Sequence, residues 1–162
     1  MTIWNFMEHL NEKNYDFSEK LFTEKIQVFY SKTVPVAFSR LDDLKGKKVG
    51  VIRGWSYGGD FDNARKAGAV IAEDGDSDEG NVRKLDAGHL DVVIAVAECG
   101  AAIMAKDKNI GVVVTPLTQN ATYIAFSKTA NMKALLQQFD QALKDMQKTG
   151  ELKAAVSAGI SK

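Results

Sequence analysis

Apolar and polar positions change period several times along the chain, and each change marks an element. Ile3, Trp4, Phe6, Met7 and Leu10 recur at helical spacing and predict a short amphipathic helix over residues 3–10. Asn11 to Ser18 is polar and turn-like. Glu24 to Lys32 alternates, with Ile26, Val28 and Tyr30 on one side and Gln27, Phe29 and Ser31 on the other, which predicts a strand. Thr33 to Ser39 reads as an extended linker around Pro35, whose ring holds its predecessor out of the helical region. Leu41-Asp42-Asp43-Leu44 makes one helical turn, ended by Gly46.

From there strands and helices alternate. A strand is predicted over 48–52, a helix near 59–67 and a second strand from Ala69 to Ala72. Asp76 and Glu79 can form a capping box that starts a helix running through Leu85, and Gly88 ends it. Leu90 to Val96 is nearly all apolar, as in a strand buried on both faces. A helix from Glu98 to Ala105 and a strand from Ile110 to Val114, stopped by Pro116, complete the run. This order spells an α/β fold, a doubly wound and mostly parallel sheet with right-handed crossovers. Thr122 to Lys128 is another strand, similar in pattern to Ile26–Lys32. The two bracket the sheet unit and are read as paired crossings between one lobe and another. Met132, Leu135, Leu136, Phe139, Leu143 and Met146 then form one helical stripe closed by Gly150, and Leu152, Val156 and Ile160 predict a shorter final helix.

Composition narrows the function. The chain has 162 residues, 45% apolar and 26% charged, which suits a folded domain rather than a disordered chain. Lys plus Arg equals Asp plus Glu at 21 each, so no nucleic-acid footprint is expected. The acidic stretch Glu73–Glu79 reads as a solvated turn leading into a helix. A lone cysteine, Cys99, allows no intrachain disulfide and is expected to be a buried, inert thiol. His9 and His89 share no metal-ligand spacing, so neither a metal nor a cofactor is expected. No apolar run reaches the roughly 18 residues of a membrane span, and the first residues do not read as a signal peptide.

The candidate chemistry lies at Arg53-Gly54-Trp55-Ser56-Tyr57-Gly58-Gly59, between the 48–52 strand and the next helix. Strand, glycine-rich turn and helix together point backbone N–H groups at a small anion. In doubly wound sheets ligands sit beyond the carboxyl ends of the strands, where this turn falls. Asp60 follows the last glycine where a phosphate-binding loop needs Lys, and the dinucleotide fingerprint is absent. A carboxylate or neutral polar group is therefore the easier guest. Arg53 offers a guanidinium fork, Ser56 a hydroxyl donor, and Trp55 and Tyr57 an apolar or stacking wall. The plainer alternative puts Trp55 in the core and leaves the glycines only to permit a tight turn. Glu98, at the end of the third strand of the run, is placed to face the cleft or to cap the following helix. No nucleophile–base pair stands out, so no enzyme activity is expected.

Leu41-Asp42-Asp43-Leu44-Lys45-Gly46-Lys47-Lys48-Val49-Gly50-Val51 resembles the start of the second lobe of family 3 extracellular solute-binding proteins. These are the polar amino-acid receptors of ABC importers, with the type II periplasmic binding fold. The resemblance continues through Gly54-Trp55-Ser56-Tyr57-Gly58, Leu85-Asp86-Ala87-Gly88-His89-Leu90-Asp91 and Thr122–Lys128. Upstream it takes in Tyr15-Asp16-Phe17-Ser18 and Thr23-Glu24-Lys25-Ile26. It implies two lobes that close on a ligand by hinge bending. Residues 1–32 would be a partial first-lobe segment with the first hinge strand, 33–121 the second lobe, and 122–162 the second hinge strand and C-terminal helices. It also implies a periplasmic location, a small polar ligand and an ABC-importer membrane component as partner.

The sequence departs from that pattern at three contact positions. Asn11 stands where the family places its carboxylate-clamping Arg, Glu8 where it has a Thr, and Val96 where its ammonium-binding acid falls, with Glu98 two residues on. Gly54 and Ser56 match the usual second-lobe contacts. These departures leave room for a second reading, a binding-protein fold turned to protein interaction or sensing. The stripe at Leu135, Leu136, Phe139, Leu143 and Met146 would lack its first-lobe partner. Exposed side chains of that size cost about 1.5–3 kcal/mol each, so a homo-oligomer covering them is expected.

Overall fold

The computed structural model describes residues 2–4 and 13–160. In chain order the elements are β1 (Thr2–Trp4), β2 (Tyr15–Phe17), β3 (Thr23–Ser31), a 3₁₀ turn (Leu41–Leu44), β4 (Lys48–Ile52), α1 (Gly59–Lys66), β5 (Ile71–Gly75) and α2 (Asp78–Asp86). β6 (Val92–Val96), α3 (Ala97–Lys106), β7 (Ile110–Val112), β8 (Thr118–Ala121), β9 (Tyr123–Ser127), α4 (Lys133–Thr149) and α5 (Glu151–Ile160) follow. They form two compact units, one of Lys25–Gln119 and one of the residues up to Glu24 with those from Asn120 onward.

The Lys25–Gln119 unit is an α/β sheet in the order β5-β4-β6-β3-β7, with β8 beside β3. β4 runs parallel to β5 and β6. β3 runs antiparallel to both β6 and β7, so one reversed strand sits inside an otherwise parallel sheet. Alternation along the strands splits the core into two layers. Val49, Val51, Val92 and Ile94 pack with Ile26, Val28, Tyr57 and Phe61 on one face. Val93 and Ala95 pack with Phe29, Val82, Leu85 and Ile103 on the other. Neighbours on both faces are why β6 reads as an unbroken apolar run.

Glycine sets how closely the helices approach the second layer. Asn81 of α2 is fully buried, and its Nδ2 donates to the Val51 carbonyl at 3.0 Å. A Cβ on Gly75 would lie 2.1 Å from Asn81 Oδ1, and one on Gly50 would lie 2.7 Å from the Leu90 side chain. On α3 the contact is tighter, since a Cβ on Gly100 would fall 1.8 Å from the Phe29 ring.

Several boundaries differ from the sequence reading. Residues 2–4 form a strand, with Thr2 opposite Ala125 and Trp4 opposite Tyr123, not the start of a helix. Pairing along an open edge of β9 gives these residues backbone partners that a short isolated helix supplies poorly. The rest of the predicted helix, with Glu8, lies outside the described residues, as does Asn11 of the turn after it. β5 begins two residues late and runs into the polar Glu73–Asp74, because a sheet edge tolerates polar side chains. Ser77, not Asp76, caps α2: its Oγ accepts from the Gly80 amide at 3.1 Å. Cys99 is exposed rather than buried, since α3 buries Gly100 and Ile103.

In the other unit β9 is the central strand between β1 and β2, antiparallel to each. β9 therefore lies wholly inside this unit, and the chain passes back from the Lys25–Gln119 unit within β8. Part of the apolar stripe of α4, expected to be bare, is covered within the same unit. Phe139 meets Phe126 with ring centroids 5.9 Å apart, and Leu143 is buried. Glu19 accepts the Lys144 ammonium at 3.1 Å, and Gln147 Nε2 donates to the Lys20 carbonyl at 3.0 Å. Met132 and Leu135, the first residues of the predicted stripe, stay exposed.

The α3 contact gives a direct test of the core. Gly100→Ala is expected to cost roughly 1–3 kcal/mol in urea unfolding despite the better helix propensity of Ala, because the Phe29 ring must move. Adding Phe29→Leu should recover part of the loss; additive losses in the double variant would contradict this packing.

Candidate ligand-binding site

The site grows from the point where β4 loses a partner. β4 pairs with β6 only at Val49–Val92 and Gly50–Val93, while β4 and β5 stay paired up to Ile52–Gly75. The connections after β4 and after β5 lead to strands on opposite sides of β4, which makes the gap between β4 and β6 the switch point of the sheet. The Ile52 amide finds the Tyr57 hydroxyl at 2.7 Å instead of a strand. For Tyr57 to reach back five residues the chain must reverse. Gly54 does so at φ 77° and the Trp55 amide donates to the Ile52 carbonyl at 3.2 Å. Gly58 at φ 109° then leads into α1, with Thr118 only 3.2 Å from where its Cβ would be.

The turn has its own clamp. One carboxylate oxygen of Asp62 accepts from Ser56 Oγ, and the other accepts from the Tyr57 amide at 3.2 Å. The Arg53 amide donates to the Gly75 carbonyl at 2.9 Å. The amides of Arg53, Trp55 and Tyr57 are thus bonded within the fold. The first-turn amides of α1 are left, as at any helix start.

The structure sorts the predicted site residues into two groups. Trp55 is 51% exposed, so the core reading of this residue does not hold, and its indole faces solvent from the turn. Arg53 is exposed, and its Nε lies 3.4 Å from Asp76, also exposed, at the end of β5. Ser56 is half-buried, but its proton goes to Asp62 rather than outward. Tyr57 does not line the rim. It is 1% exposed, packs edge-on against Phe61 at 5.8 Å, and burial pushes its hydroxyl pKa upward. Glu98 is half-buried in the first turn of α3, beyond the carboxyl end of β6. β6 is the strand next to β4, so Glu98 shares the sheet edge with the turn.

Three residues here escape a sequence reading. Asp62 and Thr118 act through contacts across the turn, and Asp76 through its pairing with Arg53. Only Asp62 carries a local signal, as an acid in the first turn of α1. Asp78, at the start of α2, is held above the usual carboxylate range by burial and then by Glu79, and one of its oxygens is buried without a partner.

Tyr57→Phe isolates the bond that shapes the turn. Loss of the acceptor for Ile52 is expected to cost about 1–3 kcal/mol in chemical denaturation. Faster hydrogen exchange confined to the turn amides should accompany it. Unchanged stability and exchange would mean that this bond does not hold the turn.

No family model and no curated protein matches the chain. Solved structures do. A mutant of ArgBP from T. maritima superposes with a TM-score of 0.76 at 21% identity, over 96% of this chain and 66% of that one. The amino acid ABC transporter substrate-binding protein AbpA from Streptococcus pneumoniae, bound to L-arginine, gives 0.72 at 18% identity, over 91% and 62%. The GluR0 ligand-binding core from Nostoc punctiforme, in complex with L-glutamate, gives 0.71 at 18% identity, over 96% and 70%. The chain thus spans about two thirds of the length of these proteins and has, over that span, the mostly parallel α/β fold of amino-acid substrate-binding proteins.

Proposed function

We propose that this chain is a non-enzymatic solute-binding module that takes a small polar ligand, an amino acid or a carboxylate, at the turn after β4. Arg53, Gly54, Trp55 and Ser56 would meet the ligand, with Glu98 beside them and Tyr57 holding the turn from beneath. The observation that carries this reading is an exposed tryptophan on a clamped turn at the switch point of the sheet. The bound arginine and glutamate of the structural neighbours support an amino acid over other polar solutes. On this reading residues 33–121 act as the second lobe, 1–32 supply the first hinge strand, and 122–162 add part of a first lobe, the return crossing falling in β8. The site of action is periplasmic and the macromolecular partner is an ABC-importer membrane component.

One observation favours a protein-interaction role instead. A groove of mixed polarity lies at β7, lined by Tyr30, Val36, Phe38, Ser39, Asp43 and Val113, with Val114 89% exposed next to it. Copies of the chain could also pair through the exposed Met132 and Leu135 of α4, giving a homo-oligomer.

Calorimetry and tryptophan fluorescence against a panel of amino acids and small dicarboxylates test the first reading. Saturable one-to-one binding is expected, weakened roughly three- to tenfold by Trp55→Ala. Flat titrations with a folded protein would leave the interaction reading. Light scattering on the same samples is expected to show a dimer that Leu135→Glu dissociates; a monomer at micromolar concentration removes the oligomer from the proposal.

A further inference from the structure

Asp78 is the acid near the turn whose charge the fold does not support. It opens α2, three residues past Gly75, whose carbonyl accepts the Arg53 amide at 2.9 Å. The side chain is half-buried, and its Oδ1 is fully buried with no hydrogen-bond partner among the described residues. Burial, and then the charge of Glu79, hold the carboxyl above its usual range. No cation pairs with it among the described residues. Arg65 is taken by Asp74 at 2.7 Å, and Arg53 lies 3.4 Å from Asp76. Asp62 of α1 is the contrast, because Ser56 and the Tyr57 amide each donate to one of its oxygens.

Tyr57 links Asp78 to the turn. Its hydroxyl accepts from the Ile52 amide at 2.7 Å, so its own proton is still to be placed. The charge of Asp78 acts on this hydroxyl more strongly than that of Arg65 or Asp62. Around Tyr57 the turn keeps main-chain donors. The amides of Gly54 and Ser56 have no acceptor among the described residues, and the first-turn amides of α1 are left as well. These donors suit a carboxylate. A carboxylate seated on them brings a second negative charge toward a buried oxygen that has no donor of its own. Like charges so placed favour the neutral form of one of them.

We infer that binding at the turn is linked to a proton on Asp78: a carboxylate ligand is held with Asp78 neutral, so binding draws one proton from water and weakens as pH rises. This rests on the solute-binding reading and adds a regulation of that site. Without ligand the same group fixes the sign for folding. A carboxyl raised on folding adds stability that is complete below its unfolded value and is lost as pH rises through its folded value. The stability of the native chain relative to Asp78→Asn should therefore fall over that window.

The probe is L-arginine, whose own charges stay constant between about pH 4 and 8. Carbon-detected NMR follows the Asp78 carboxyl, calorimetry gives the affinity, and circular dichroism confirms the fold of each variant. In the free protein the carboxyl should titrate above the ordinary value of 3.8, and saturating L-arginine should move its midpoint further up. A move of half to one unit corresponds to roughly three- to tenfold weaker binding once Asp78 is ionised. Asp78→Asn should bind with the acid-form affinity at every pH. Glu79→Gln should lower the midpoint and keep the pH dependence, since it removes only the neighbouring charge. An ordinary midpoint in the free protein overturns the inference while the solute-binding reading stands. So does a midpoint that L-arginine leaves unmoved, or a pH dependence that persists in Asp78→Asn. If L-arginine binds at no pH, the inference fails. The amino-acid panel then reports separately on the solute-binding reading.

Discussion

The Ile52 amide is the constraint from which the candidate site follows. β4 and β6 part after Gly50–Val93, and a sheet that opens leaves main-chain donors needing partners. An orphaned amide costs about 1–3 kcal/mol, comparable with the effect of a sizeable core substitution. Tyr57 supplies the acceptor, and its ring adds a buried edge-on contact with Phe61. The chain must therefore leave β4, turn at Gly54 and come back within five residues. Trp55, at the outer bend of that excursion, has nowhere to pack and faces solvent. Burial of Tyr57 and exposure of Trp55 are two consequences of one hydrogen bond.

The same edge is shaped by how the helices reach it. α1, α2 and α3 all begin at the carboxyl ends of parallel strands. α2 comes close through Gly50 and Gly75 and is tied down by the Asn81–Val51 bond, while α3 comes close through Gly100 over Phe29. Their first turns carry Asp60 and Asp62, Asp78 and Glu79, and Glu98. Such acids offset the positive ends of the helices. Asp78 meets that task half-buried, and desolvation raises its pKa there.

The sequence was readable wherever one element sufficed to explain it. Val92 to Val96 is apolar because both faces are covered, and that can be read without knowing what covers them. The order of strands and helices carried the parallel sheet for the same reason. What could not be read were choices that depend on a second element. β3 looks like any alternating strand, yet its place between β6 and β7 with reversed direction is set by what flanks it. Trp55 and Tyr57 look equivalent as aromatic residues two apart in a glycine-rich turn. Only the parting of β4 from β6 decides which goes inside. Cys99 and Gly100 are adjacent on α3, and Phe29, distant in sequence, decides which faces the core. The α4 stripe was legible as a stripe, but its cover, Phe126 on β9, was not.

A strand, a glycine turn and a helix N-terminus suggest an anion site by default, because such turns leave amides free. Here that default is met only in part. Three of the amides between Arg53 and Tyr57 bond to Gly75, Ile52 and Asp62. The start of α1 faces its own Asp60 and Asp62. Asp62 accepts from Ser56 and Tyr57, so the charge that offsets the helix also fixes the direction of the Ser56 hydroxyl. A hydroxyl placed by backbone shape therefore has its direction set by a side chain five residues past the turn's last aromatic. Glycine spacing alone does not distinguish a turn that gives protons from one that receives them.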